Sequence, residues 1–368
     1  MANLKIGFIG CGGIANGKHF PGMSQEPGVD MVAFCDLIIE RAQEAAKKYG
    51  TSDAKVYTDY HELLKDKSID AVHVLTPNVA HAEITVAALE AGKHVLCEKP
   101  MAATAADAQK MMDAQKRTGK MLTIGYQYRH FHTNAVAKTV VDEGWLGDIY
   151  YAEAEYTRRR GVPTWGVFLD KEKQGGGPLI DIGTHALDLT LWLMNNYDPM
   201  YVVGSTFEKL GRLLEGPAQG QTSWMDGSPD YWNNETFNVE DSSFGFVKMK
   251  NGATIVLKAS WALNVAEPRD ATALLCGTKG GLDTHDGVRL NHVVAGQQSV
   301  TMVGKKVNPY IPGFSGGKPQ RSREAQIWVA ALKGEGELFV KPEQAFCVTR
   351  ILDAIYESSR TNAPVYFK

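Results

Sequence analysis

No apolar run in this 368-residue chain approaches the roughly 20 residues that a membrane-spanning helix needs, so a membrane protein is not expected. Basic charge is equally short. The net charge is −3, and the one dense basic cluster, Arg158-Arg159-Arg160, cannot track a phosphate backbone, which argues against nucleic acid as a partner. Cysteine is scarce and scattered: five residues, an odd number, without metal-type spacing. They read as reduced thiols in a cytoplasm and give no metal site. There is no internal repeat and no helix-turn-helix appendage. The opening "MANLKIGFIGCGGIA" has the apolar character of a signal peptide, but its glycines fit a first strand and phosphate loop better. These absences leave a soluble cytoplasmic protein.

What is present is ordinary in amount and informative in order. With 44% hydrophobic and 22% charged residues, the chain can build two domains with sizeable cores. In the first third, "LKIGFIG", "VDMVAFCD", "AVHVLT", "HVLCE" and "MLTIGY" alternate with helical patterns. Such apolar strands, separated by amphipathic helices, require a parallel sheet covered on both faces, hence a doubly wound α/β domain over residues 1–127. Thr104 with Asp107 forms a capping box for the helix after Pro100. Beyond residue 128, "IYYAEAEYTR", "MYVVGSTFEKL", "SSFGFVKMK" and "ATIVLKASWAL" alternate as antiparallel strands do, with Asn251-Gly252 as a hairpin turn. One long helix, "PLIDIGTHALDLTLWLM", interrupts them. Residues 128–368 therefore read as a second, open-sheet α/β domain. The Gly- and Pro-rich stretches 211–236 and 304–322 read as long loops that cover an active site.

The first chemical signal is Gly10-x-Gly12-x-x-Ala15, directly after the first strand and with Gly13 in the same loop. Gly10 permits a tight turn, Gly12 lets backbone approach a pyrophosphate, and Ala15 allows close helix packing. Asp36 ends the second strand, where a carboxylate would hold ribose hydroxyls and repel a ribose phosphate. Leu37 follows instead of a basic residue, so NAD is favoured over NADP. Thr76, Pro77, Asn78 and His81 end the next strand, either as a wall beside the cofactor or as simple turn chemistry. Lys99, in Glu98-Lys99-Pro100, is either a solvated loop lysine or a reactive one at the carboxyl edge of the sheet. There, partial desolvation near a cationic nicotinamide would lower its pKa and suit it to proton transfer. Asp181 and His185, at i and i+4, share a helical face if the helix has begun by Asp181, and Asp188 continues that face. Taken alone, they read equally as a helix cap and a buried histidine.

Together, the glycine loop, the Glu98-Lys99-Pro100 triplet and the "GGGPLIDIGTHALDLTLWL" stretch at 175–193 resemble the Gfo/Idh/MocA oxidoreductases. The resemblance covers the whole chain. It implies a Rossmann domain, a C-terminal domain with an open, mostly antiparallel sheet, and a homodimer or homotetramer assembled through those sheets. It places Lys99, Asp181 and His185 at the catalytic positions and Glu98 and Lys99 beside the cofactor. It also puts substrate contacts at Tyr126 and Tyr128 in "GYQYR", and at Arg158 and Trp165 in the 158–166 loop. The implied reaction is NAD-dependent oxidation of a secondary ring hydroxyl of a sugar or glycoside, with 3-keto sugar formation the leading expectation. Either Lys99 or His185 would take the proton. A cyclitol such as myo-inositol is an alternative substrate, and a redox-neutral cycle that recycles NAD is an alternative outcome. A non-catalytic NAD-sensing regulator is the rival class.

Overall fold

The computed structural model describes residues 3–163, 165–211, 237–305 and 322–368. They fall into two compact units, Met1–Gly125 with Pro309–Phe346, and Tyr126–Asn308 with Cys347–Lys368.

In the first unit, six strands form one wholly parallel sheet: β1 (Leu4–Ile9), β2 (Val29–Cys35), β3 (Lys55–Tyr57), β4 (Ala71–Val74), β5 (His94–Cys97) and β6 (Leu122–Ile124). Their order is β3-β2-β1-β4-β5-β6, so the winding reverses between β1 and β4, and ligands of such sheets lie at that switch. The apolar strands are buried as their composition requires. Short β3, with polar Lys55 and no fully buried residue, gave no sequence signal. The helix Ala105–Thr118 begins as anticipated, with Thr104 Oγ1 accepting from Asp107 N at 3.1 Å. It ends on the left-handed Gly119.

The domain boundary differs from the sequence reading, which placed everything after residue 127 in the second domain. The helix Arg323–Leu332 belongs to the first unit, because Ala325, Trp328 and Val329 at helical spacing complete a core of Phe8, Phe20 and Phe34.

The second unit holds nine strands: β7 (Ile149–Thr157), β8 (Pro199–Phe207), β9 (Ser242–Met249), β10 (Thr254–Ser260), β11 (Arg269–Gly277), β12 (Gly281–Asp283), β13 (Gly287–Val294), β14 (Gln297–Lys305) and β15 (Val365–Tyr366). Their order is β14-β13-β12-β11-β7-β10-β9-β8-β15, and only the β7–β10 pair is parallel. The β9–β10 hairpin turns at Asn251-Gly252 as expected, with Gly252 at φ 92°. The β13–β14 hairpin turns on Ala295 and Gly296 at φ 50° and 78°, and an alanine in that role hides the turn from the sequence. The helix Thr184–Met194, buried nearly all round, packs on β7 and β11. Apart from their ends, the expected loops at 211–236 and 304–322 lie outside the described residues.

Candidate active site

The glycine loop is built as the spacing demands. Gly10 has φ 98°, and a Cβ there would lie 2.5 Å from the Leu75 carbonyl oxygen, so only glycine makes this turn. A Cβ at Gly12 would meet no protein atom, which leaves that space for a ligand. Ala15 is fully buried, at the start of a π-helical turn, Ala15–His19. Asp36 is fixed at the end of β2 by the backbone N–H groups of Cys11 (2.7 Å) and Ile38 (2.9 Å), and beside it Leu37 is 91% exposed. An open phosphate cradle with a pinned carboxylate, and no basic residue beside it, fits NAD. Gly12, Gly13 and Asp36 are the groups that would hold it.

Two residues expected among the cofactor contacts hold the frame instead. His81 is buried, with Nδ1 2.8 Å from the Pro100 carbonyl oxygen and Nε2 2.9 Å from that of Thr76. It bridges the turn Thr76-Pro77-Asn78 to the loop after β5. Glu98 is also interior. Its Oε1 lies 2.7 Å from Lys18 Nζ and 2.8 Å from His19 Nε2, and Oε2 accepts from the Lys99 backbone N–H at 3.1 Å. Lys18 also pairs with Glu324 at 2.9 Å. Burial pushes the Glu98 carboxyl up, but the Lys18 ammonium and His19 bring it well below the usual carboxylate range. A Cβ at Gly125 would stand 2.9 Å from Glu98 Oε1, so the first residue of "GYQYR" must be glycine. Lys99 itself is half-buried just past the end of β5, and its peptide bond to Pro100 is cis.

Two buried histidines of this unit impose a pH dependence on its stability. Burial lowers the pKa of His73 and His81, His73 well below the ordinary value, where the charges of His19 and Lys18 add to the effect. Below about pH 6.5 the unfolded chain takes up protons that the folded chain refuses. Stability is therefore full near neutrality and falls as pH drops, by up to about 1.4 kcal/mol per pH unit for each histidine. Urea melts at pH 7.5 and 5.5 should differ by about 1–2 kcal/mol, most of it from His73. Equal stabilities would mean that both rings accept protons in the folded state.

The second unit gathers a separate set of polar side chains. A π-helical turn, Leu179–Gly183, leads into the helix Thr184–Met194. Asp181, in the π-turn, is half-buried, and its Oδ2 accepts from Trp261 Nε1 at 3.1 Å. His185 is 7% exposed and lies ring-to-ring 5.0 Å from Tyr128, which in turn lies 6.3 Å from Tyr156. The Arg158 guanidinium rests 5.3 Å over the Tyr156 ring and donates to the Gly161 carbonyl at 3.0 Å. Burial works against its charge, while Tyr156 and Asp181 sustain it. Trp165 packs edge-on to Phe168 at 5.9 Å, and its indole N–H has no hydrogen-bond partner among the described residues.

Two expectations for this unit are corrected. Tyr126 is fully buried, with its hydroxyl 3.0 Å from Thr184 Oγ1, so it is core rather than substrate wall. Asp188 does not join Asp181 and His185; it is fully buried in a pair with Arg129. Two acidic residues went unnoticed in the sequence. Glu240 receives Gly177 N (2.9 Å), Leu179 N (3.2 Å) and the Tyr356 hydroxyl (2.7 Å), which anchors the start of the π-turn. Asp241 accepts three successive N–H groups, from Lys209, Leu210 and Gly211.

One unit carries the glycine-loop cradle of a dinucleotide-binding protein, and the other gathers a histidine, a carboxylate, an arginine and aromatic rings. Residues 4–126 match the model of an oxidoreductase family with an NAD-binding Rossmann fold, and residues 135–283 match the GFO/IDH/MocA C-terminal domain. D-glucoside 3-dehydrogenase of Escherichia coli (strain K12) is 33% identical over 364 residues, 98% of this chain and 97% of that one. Inositol 2-dehydrogenase of Salmonella typhimurium (strain LT2) is 36% identical over 193 residues, 52% of this chain and 55% of that one. Among solved structures, levoglucosan dehydrogenase in complex with NADH and L-sorbose superposes with a TM-score of 0.79 at 25% identity, covering 100% of this chain and 99% of that one. The chain belongs to the Gfo/Idh/MocA oxidoreductase family. Its first domain is that family's NAD-binding Rossmann fold, and the curated relatives it matches are named as sugar and inositol dehydrogenases. Among the described residues, no helix is long and apolar enough to cross a membrane, and no group of three or more His, Cys, Asp or Glu side chains could hold a metal.

Proposed function

We propose that the protein oxidises the C3 hydroxyl of a pyranose or glycoside to the 3-keto sugar. The observation that carries this reading is the identity to D-glucoside 3-dehydrogenase along nearly the whole length of both chains. Bound NAD supplies the hydride acceptor, and the alcohol loses one hydride and one proton. His185, held against Tyr128, accepts the hydroxyl proton. Lys99 donates a hydrogen bond to the same oxygen and stabilises the charge that develops there. Asp181 accepts from a neighbouring hydroxyl, and Arg158, Tyr128 and Trp165 meet the rest of the sugar. Gly12, Gly13 and Asp36 hold the cofactor, with Thr76, Pro77 and Asn78 forming the adjoining wall. The protein works in the cytoplasm, a setting that suits its five free cysteines. It assembles as a homodimer or homotetramer through the nine-stranded sheet, where Val203, Phe207 and Phe246 are exposed.

The test is NADH absorbance on mixing protein and NAD with glucose, galactose, their methyl glycosides, a 3-deoxy glucoside and myo-inositol. Absorbance should rise with a glucoside, fail with the 3-deoxy analogue, and fail in His185→Ala. A rise with myo-inositol alone would replace this reading with a cyclitol dehydrogenase, as the inositol 2-dehydrogenase similarity allows. A flat trace with NAD bound would favour a redox-neutral cycle or a sensor.

A further inference from the structure

Trp261 is the largest of the fully buried side chains, yet its indole N–H is spent on a half-buried carboxylate of the second unit's polar cluster. A buried tryptophan needs an acceptor for that hydrogen, and backbone carbonyls are the common choice. Here the acceptor is Asp181 Oδ2. Trp261 is itself held on both sides by main chain. Its N–H donates to the Asp241 carbonyl at 3.0 Å, and its carbonyl accepts from Gly161 N at 2.8 Å. Asp241, on the far side, is anchored by its three N–H donors. Gly161 in turn offers its carbonyl to Arg158 Nη1. Trp261 therefore sits between the two charged groups of the cluster, joined to Asp181 through its side chain and to the Arg158 loop through its backbone.

We infer that Trp261 is a positioning residue for sugar oxidation: its Nε1–H fixes the Asp181 carboxylate in the orientation that receives a substrate hydroxyl, while its carbonyl fixes the loop that carries Arg158. This rests on the function proposed above. Trp261, wholly buried, does not touch the sugar. One fixed oxygen sets the plane of the carboxylate, and its remaining lone pairs are aimed rather than free to rotate. The Asp181 backbone is already held, its N–H donating to the Gly177 carbonyl at 3.0 Å, so the indole donor acts on the orientation of the carboxylate.

The test is a double-mutant cycle on the full-length protein, read as kcat and KM for the sugar and KM for NAD. Trp261→Phe keeps an aromatic ring and removes the donor. It should lower kcat about 10- to 100-fold with KM for NAD unchanged, since a misplaced reacting group costs that much. In an Asp181→Ala background the same substitution should change kcat little, because the group it positions is gone. Losses that multiply in the double variant would overturn the inference. Indole N–H resonances of protein labelled with 15N-tryptophan provide a readout that needs no turnover and no tolerance of the missing indole. One resonance should move upfield in Asp181→Asn, as a charge-assisted hydrogen bond becomes a neutral one. If no resonance moves, Trp261 does not position Asp181. Wild-type protein inactive on every sugar would sink the proposed reaction, and the resonance shift would still decide the role of Trp261.

Discussion

Asp188→Ala is expected to cost about 3–5 kcal/mol of folding stability, measured by urea or thermal denaturation at neutral pH. The Arg129 guanidinium is 0% exposed, and Asp188 is its charge partner. Nε donates to Oδ2 at 2.9 Å and Nη2 to Oδ1 at 2.5 Å, while Nη2 also reaches the Tyr197 hydroxyl at 3.2 Å. Burial opposes the charge on both groups; attraction to Asp188 outweighs it for Arg129, while burial still holds the Asp188 carboxyl above its usual range. Removing the carboxylate strips the cation of its counter-charge, which the Tyr197 phenol and the Trp192 ring do not replace. The replacement Arg129→Met with Asp188→Leu should recover most of the loss, because a buried ion pair is worth little more than well-packed apolar side chains. A single-variant cost below about 1 kcal/mol would show that Arg129 finds water or another partner. The pair also ties the segment that carries Tyr128 to the helix that carries His185.

The reach of the sequence is uneven along these same residues, for a physical reason. Gly10, Gly12, Ala15 and Asp36 were legible because their task is local: a turn, an approach and a strand end, all set by backbone geometry over a few residues. Thr104 and Asn251-Gly252 were legible for the same cause. The interior partners of Glu98, Asp188 and Tyr126 were not legible because each lies far along the chain. Lys18 is 80 residues from Glu98, Arg129 is 59 from Asp188, and Thr184 is 58 from Tyr126. An acid at a strand end and a tyrosine near a motif carry no mark that says which way they face. The helix Arg323–Leu332 was given to the wrong domain because its apolar spacing announces a buried face and not the core it fills. The π-turn at 179–183 leaves the sequence period of a helix intact, so it was not visible in the sequence.

Lys99→Ala should lower kcat by about 10²- to 10⁴-fold while leaving NAD binding nearly intact, the span that one positioned proton donor or charge commonly supplies. The two effects separate because the loop's backbone has anchors of its own. Its backbone N–H is held by Glu98, Glu98 by Lys18 and His19, and the following Pro100 carbonyl by His81. All of these remain when the ammonium is removed, so the variant should keep its phosphate cradle. Equilibrium titration of NAD by quenching of tryptophan fluorescence, run beside NADH formation on the best sugar of the panel, makes the distinction. Lost turnover with retained affinity places the ammonium in the chemical step. Turnover that persists within a few-fold would move the proton work to His185 alone, leaving Lys99 as the solvated loop lysine of the plainer reading. Lost affinity would instead assign the ammonium to the cofactor's hold, a role that Glu98, locked in the interior, cannot take over.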